Sequence, residues 1–234
     1  ENVTIIVNPT PQVNDPIDQV ICAGSQVAAV NFTGTGTSYN WTNTIPAIGL
    51  IGSGTGNITG FTGINNGVNP LIAQISVTPQ YLNSNLTCSG TIETFSLTID
   101  PLPTVQFSLP NQTICSASAS SVVNITSSSP GVTISWSAPT IPSTISGLNL
   151  QNGGATIPSF NLTNSGLVPA TIQFFGQAVT SSQALCSGPI LVYTITVNPT
   201  PTVNNPSDQV KCNTSLTDLV TFVGSGTSYN WTNN

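Results

Sequence analysis

The sequence predicts an all-β protein assembled from tandem β-sandwich domains. Three observations carry this. Apolar residues alternate with period two, the strand signal. The same alternating blocks return at a fixed spacing of about 95 residues. No stretch sustains an amphipathic helical period for three turns, because Gly, Pro or Asn interrupts every long segment.

The spacing is the strongest of the three. Gly36-Thr37-Ser38-Tyr39-Asn40-Trp41-Thr42-Asn43 recurs unchanged as Gly226-Thr227-Ser228-Tyr229-Asn230-Trp231-Thr232-Asn233, 190 residues later. A divergent copy, Ile134-Ser135-Trp136, sits halfway, so the tryptophans fall at 41, 136 and 231. Val7-Asn8-Pro9-Thr10-Pro11 returns as Val197-Asn198-Pro199-Thr200-Pro201, with Ile99-Asp100-Pro101-Leu102-Pro103 between them. An eight-residue identity at twice the period sets chance aside.

Pro-x-Pro marks the boundaries: Pro9 and Pro11, Pro101 and Pro103, Pro199 and Pro201. Each pair ends an alternating run, where proline fixes φ and favours extended chain over helix. Residues 1–11 are therefore expected to be the last strand of a preceding repeat. Residues 12–103 and 104–201 are two full repeats, and 202–234 opens a third that is cut short. Connectors this short and proline-rich are stiff, so a semi-rigid rod of domains is expected.

Within a repeat the elements follow in order. Val30 and Phe32 are matched by Val123 and Ile125, then by Val220 and Phe222. Tyr39 and Trp41 come on the next strand. Leu71, Ala73, Ile75 and Val77 correspond to Ala170, Ile172, Phe174 and Gly176. In the last strand Phe95, Leu97 and Ile99 correspond to Val3, Ile5 and Val7 and to Tyr193, Ile195 and Val197. One column stays apolar while its neighbours stay polar, the mark of a sheet with one buried face. About seven short strands with one tryptophan on an early strand fit an immunoglobulin-like sandwich. Trp41, Trp136 and Trp231 are accordingly read as core pins rather than a sugar-stacking platform. Phe61, Tyr81 and Phe160 are the few aromatics expected on loops.

A family resemblance rests on the Val-Asn-Pro-Thr-Pro joints, Asp18-Gln19-Val20-Ile21-Cys22-Ala23-Gly24, Tyr39-Asn40-Trp41-Thr42-Asn43 and Ser53-Gly54-Thr55-Gly56-Asn57-Ile58. In these the chain resembles the PKD-like, immunoglobulin-fold modules strung along large secreted adhesins of Bacteroidota, including gliding-motility-type adhesins. The resemblance implies export by type IX secretion and display outside the outer membrane.

Each full repeat holds two cysteines, Cys22 and Cys88, then Cys115 and Cys186; Cys212 opens the third, its partner expected beyond the fragment. No C-x-x-C spacing exists, which argues against zinc or redox chemistry. Disulfides imply an oxidising, extracellular setting. Pairing within a repeat, Cys22–Cys88 and Cys115–Cys186, is the expectation, because each repeat should fold alone. Cys88–Cys115 and Cys186–Cys212 form the rival scheme, prompted by the opposite ends of a sandwich to which Cys22 and Cys88 should belong.

Charge excludes several function classes. Only 3% of residues are charged, Lys211 is the sole cation, and histidine is absent. Nucleic-acid binding needs cations to neutralise phosphates. Histidine-based catalysis and histidine-ligated metal are impossible. Asp18 is matched by Asn111 and then Asp208, and an acid replaceable by Asn reads as turn chemistry. No enzyme activity, cofactor or metal is expected. No apolar run approaches the ~18–20 residues of a membrane helix, so membrane insertion is not expected either.

The expected function is mechanical: a structural stalk or filament segment of a large cell-surface adhesin. Its partners are neighbouring repeats of the same chain and, in a filament, other copies, with any surface or glycan ligand unassigned. Two alternatives stand beside it. One is a carbohydrate-binding module array. The other is a non-covalent filament whose subunits are completed by strand addition.

Overall fold

The computed structural model describes residues 1–232; Asn233, which closes the recurring octapeptide, lies with Asn234 outside the described residues. The alternating runs form β-ladders, and among the described residues the one helical element is a single 3-10 turn at Pro46–Ile48.

The first repeat contributes β1 (Gln19–Cys22), β2 (Gln26–Val27), β3 (Ser38–Asn43) and β4 (Ser53–Thr55). It continues with β5 (Phe61–Thr62), β6 (Leu71–Asn83), β7 (Leu86–Ser89) and β8 (Glu93–Asp100). One sheet runs β1-β8-β6-β3-β4, with β7 also pairing β6, and β2 pairs β5 opposite it. β1 lies parallel to β8, whereas β3, β4, β6, β7 and β8 join antiparallel. The β6–β7 hairpin turns on Ser84 and Asn85, both left-handed (φ 48° and 67°), the primed geometry that matches strand twist.

The period-two reading holds in the packing. Ala73, Ile75, Val77, Phe95, Leu97 and Ile99 are all buried and share one core with Val27, Phe32 and Trp41. Each large apolar side chain so buried stabilises the fold by about 1.5–3 kcal/mol. The intervening Ile72 is half exposed, as the alternation requires.

The second repeat contributes β9 (Val105–Phe107), β10 (Gln112–Cys115), β11 (Ser118–Ala119), β12 (Val123–Ser127), β13 (Val132–Ser137) and β14 (Ile145–Ser146). Then come β15 (Asn152–Gly153), β16 (Thr156–Ile157), β17 (Asn161–Asn164), β18 (Ala170–Thr180) and β19 (Leu191–Asn198). Its main sheet, β10-β19-β18-β13-β15, repeats the order of the first, again with its first strand parallel to its last. Smaller sheets β11-β17-β14 and β16-β12-β9 complete it. This strand order, with one buried Trp per repeat, is that of all-β, immunoglobulin-like sandwiches.

The chain divides into two compact units. One holds Glu1–Gln106, Thr126–Ile134 and Gln177–Leu191; the other holds Phe107–Ile125, Ser135–Gly176 and Val192–Asn234.

Three expectations need correction. Residues 3–7 form no strand, and Val3, Ile5 and Val7 are exposed. In the first repeat the equivalent strand β8 is held between β1 and β6, and residues 3–7 pair with no such strands among the described residues. Trp231 is no core residue at 71% exposure, against 5% and 2% for Trp41 and Trp136. Trp41 is flanked by Gly54 and Val77 on the neighbouring strands, and no equivalent strands pair with Trp231 among the described residues. The expected loop aromatics, finally, are placed otherwise: Phe160 lies on a connector but is 3% exposed and stacks on Phe174, while Phe61 and Tyr81 lie on β5 and β6 and are half-buried.

Candidate functional site at the repeat joints

The structure gathers its least ordinary chemistry around the Pro-x-Pro joint at residues 100–103. The construction begins with β1. Its parallel pairing sets Cys22 in register with Asp100, the residue before Pro101, and the Ala23 N–H donates to the Asp100 carbonyl at 2.8 Å. The chain then turns through Gly24 in the left-handed region (φ 82°), where glycine carries no penalty.

Onto this end comes a segment of the next repeat, Cys186-Ser187-Gly188. The Gly188 N–H donates to the Ala178 carbonyl at 2.9 Å. A Cβ on Gly188 would lie 1.6 Å from the Pro103 carbonyl oxygen, so no other residue fits. Cys186 is buried and forms a disulfide with Cys22, with Cα atoms 5.4 Å apart and a sequence separation of 164. Pro101 and Pro103 are buried as well, which makes this connector a packed element rather than an exposed linker. Pro11 is buried, Pro199 is partly so, and Pro9 and Pro201 are exposed.

The disulfide corrects the expected pairing. Cys22–Cys88 fails on geometry. Cys22 sits where β8 ends, beside Leu71 at the start of β6, while Cys88 lies opposite Tyr81. Ten residues of strand separate those points, about 33 Å at 3.3 Å per residue, and a disulfide needs Cα atoms within about 7 Å. Cys115–Cys186 fails because Cys22 already holds Cys186, and the same bond rules out Cys186–Cys212. Cys88, Cys115 and Cys212 are free thiols, so Cys88–Cys115 is not formed either.

A second device at the joint was not anticipated. Asn65 is buried, and its amide donates to the Ile99 carbonyl at 2.7 Å and the Asn69 carbonyl at 2.8 Å, while its Oδ1 accepts from the Gly67 N–H at 2.9 Å. Asn164 repeats this with Val197, Val168 and Gly166 at 2.8, 2.8 and 2.9 Å. Each clamp fixes the end of a last strand immediately before its prolines. The recurring Asn-x-Gly at 65–67 and 164–166 was the signal available in the sequence.

The Asp-Gln motif also proves structural. Asp18 Oδ1 accepts from the Ser96 N–H at 2.6 Å, and Asn111 does the same for Thr194 at 2.9 Å. Gln19, Gln112 and Gln209 each grip the backbone nine residues on, at Ala28, Ser121 and Asp218, donating to its carbonyl and accepting from its N–H. Gln112 in addition donates to the Tyr193 hydroxyl at 2.6 Å. Burial pushes the Tyr193 phenol above its usual value, and that hydrogen bond partly opposes the rise.

Among the described residues, two buried side-chain groups lack a partner: the Trp41 indole N–H and Asp100 Oδ2. Asn8 and Asn198 stand where Asp100 does in the other joints, so the carboxyl is a local variation on an amide.

No family model matches the sequence, and no curated protein matches it. Solved structures similar to it include the titin I-band fragment I67–I69, at 10% identity and TM-score 0.43 over 82% of this chain. Mouse cadherin-23 EC22–24 follows at 10% identity and TM-score 0.46 over 83%. The N-terminal eight immunoglobulin domains of Down syndrome cell adhesion molecule give 12% identity and TM-score 0.43 over 86%. The chain spans 66%, 68% and 26% of these three structures respectively.

Proposed function

We propose that the chain is a tension-bearing segment of an extracellular stalk or surface filament, built from tandem immunoglobulin-like repeats. The observation that carries this is the disulfide from Cys22 of one repeat to Cys186 of the next, set at a joint whose prolines are buried. A disulfide within a domain would protect that domain; one between repeats resists their separation. Disulfides persist outside the reducing cytosol, which supports an extracellular location at the cell surface. The scarcity of charge suits a spacer, since salt alters little where few charges exist to be screened. In this reading the chain is not an enzyme, and its partners are neighbouring repeats and other copies of the filament.

The test is the mass of the native surface material after boiling in detergent with reductant. A single species of several hundred kilodaltons is expected for a covalent tandem array. A species of a few tens of kilodaltons would sink the reading in favour of subunits joined by strand addition. The carbohydrate-module alternative has lost Phe160, which is buried. Binding of the isolated chain to a glycan panel would revive it.

A further inference from the structure

Three Pro-x-Pro joints occur, and each carries a different part of one set of groups. The joint at 100–103 has the full set: Cys22 in register with Asp100, Gly188 against the Pro103 carbonyl, and the bond from Cys22 to Cys186.

The joint at 8–11 has only the receiving side. Cys88-Ser89-Gly90 repeats Cys186-Ser187-Gly188, and a Cβ on Gly90 would lie 1.8 Å from the Pro11 carbonyl oxygen. The Gly90 N–H donates to the Pro79 carbonyl at 2.9 Å, as Gly188 donates to Ala178. The Cys88 sulfur lies 3.9 Å from the amide nitrogen of Asn8, the counterpart of Asp100, and Asn83 holds Asn8 in place at 2.7 Å. Cys88 thus points at the residue beside which a cysteine of the Cys22 type sits in both complete repeats.

The joint at 198–201 has only the giving side. Cys115 is in register with Asn198, and the Ser116 N–H donates to the Asn198 carbonyl at 2.8 Å, as Ala23 does to Asp100. Ala117 takes the left-handed conformation of Gly24 (φ 62°), and the Cys115 side chain is exposed.

We propose that Cys88 and Cys115 are the two halves of this same bridge. Cys88 bonds to a first-strand cysteine in a preceding repeat, and Cys115 bonds to a Cys-Ser-Gly cysteine in a following one. Every joint is then closed by one disulfide between successive repeats, and Cys212 begins the next. The inference rests on the tandem-array reading given above. Each bridge forms from two thiols with loss of two protons and two electrons, accepted by a disulfide oxidant such as a thiol–disulfide oxidoreductase. One thiolate attacks the oxidant's disulfide to give a mixed disulfide; the second displaces the oxidant, which leaves as a dithiol.

The consequence is mechanical. The Cys22–Cys186 loop encloses most of two repeats and contains Cys88 and Cys115, so the proposed bridges overlap and tie each repeat to the ones before and after it.

The experiment is a disulfide map of the native full-length chain, blocked with N-ethylmaleimide at acid pH and digested with pepsin without reduction. The expected result is complete loss of maleimide labelling at Cys88 and Cys115. The Cys88 peptide should be linked to a peptide of the Gln-x-x-Cys type, and the Cys115 peptide to one containing Cys-Ser-Gly. Maleimide on either cysteine, a link between the two, or a link from either to Cys212 would overturn the proposal. The reduced mass of the same sample separates the two readings. A small reduced chain with the links present leaves the bridges standing, between molecules, and defeats the covalent array. A large reduced chain with labelled thiols defeats the bridges alone.

Discussion

The first and second repeats place a tryptophan at the same point of the same sheet, yet they finish the site differently. Both indoles lie over a glycine backbone, Trp41 over Gly54 and Trp136 over Gly153, where an added Cβ would fall within 3 Å of ring atoms. In the second repeat the Trp136 N–H donates to the Thr156 carbonyl at 2.8 Å. The ring also meets Phe174 edge-on at 5.5 Å, and Phe174 in turn packs against Phe160 and Tyr193. In the first repeat Ile75 stands in place of Phe174, and the Trp41 N–H has no partner. The fold therefore needs the indole as volume. Its hydrogen bond is an addition that one repeat has and the other lacks, consistent with the modest net worth of a single bond.

The largest difference between what the repeats share and what they vary should appear at the joint clamps, which both have. Asn65→Ala and Asn164→Ala each remove three hydrogen bonds and leave a buried strand carbonyl unpaired. Each should cost about 2–4 kcal/mol, read from urea unfolding followed by circular dichroism. Equal losses would show that the two joints are built alike; a loss in one alone would break the equivalence.

The tryptophans should separate the repeats more finely. Trp136→Phe strands the Thr156 carbonyl and Trp41→Phe strands nothing, so the former should be the more destabilising by about 1 kcal/mol. The same unfolding measurement decides it, and a reversed order would contradict the contrast drawn here.

A smaller effect is expected at the turn after the first strand, where Gly24 and Ala117 share the left-handed conformation. Ala117→Gly should stabilise the second repeat by about 0.5–1 kcal/mol, whereas Gly24→Ala should destabilise the first by a similar amount.

Tyr193, which replaces Phe95, adds a pH dependence to the second repeat only. Burial favours the neutral phenol in the folded state, raising its pKa above the usual 10. Its contribution is fully present below pH 10 and is lost as pH rises through the elevated value. Tyr193→Phe should flatten that alkaline loss, monitored as the unfolding midpoint against pH.

Much of the fold was legible because its signals are local. The alternation of Phe95, Leu97 and Ile99 and the recurrence of Pro-x-Pro need no knowledge of distant residues. The disulfide was not legible in the same way. Its partner depends on which end of a 13-residue strand each cysteine reaches, and that follows from the parallel pairing of β1 with β8. The recurring Cys-Ser-Gly at 88–90 and 186–188 was visible, but its meaning required the Pro103 carbonyl against Gly188. Residues 3–7 and Trp231 show the opposite error: their patterns match the core, but the strands that bury such patterns lie far away in sequence.

The most direct test of a covalently locked joint is to pull the oxidised chain from its two ends, first without and then with reductant. With Cys22 bonded to Cys186, a sequence separation of 164, the chain between them cannot extend. Reduction should lengthen the fully unfolded chain by roughly 540–590 Å, at 3.3–3.6 Å per residue. The same full extension before and after reductant would contradict the account.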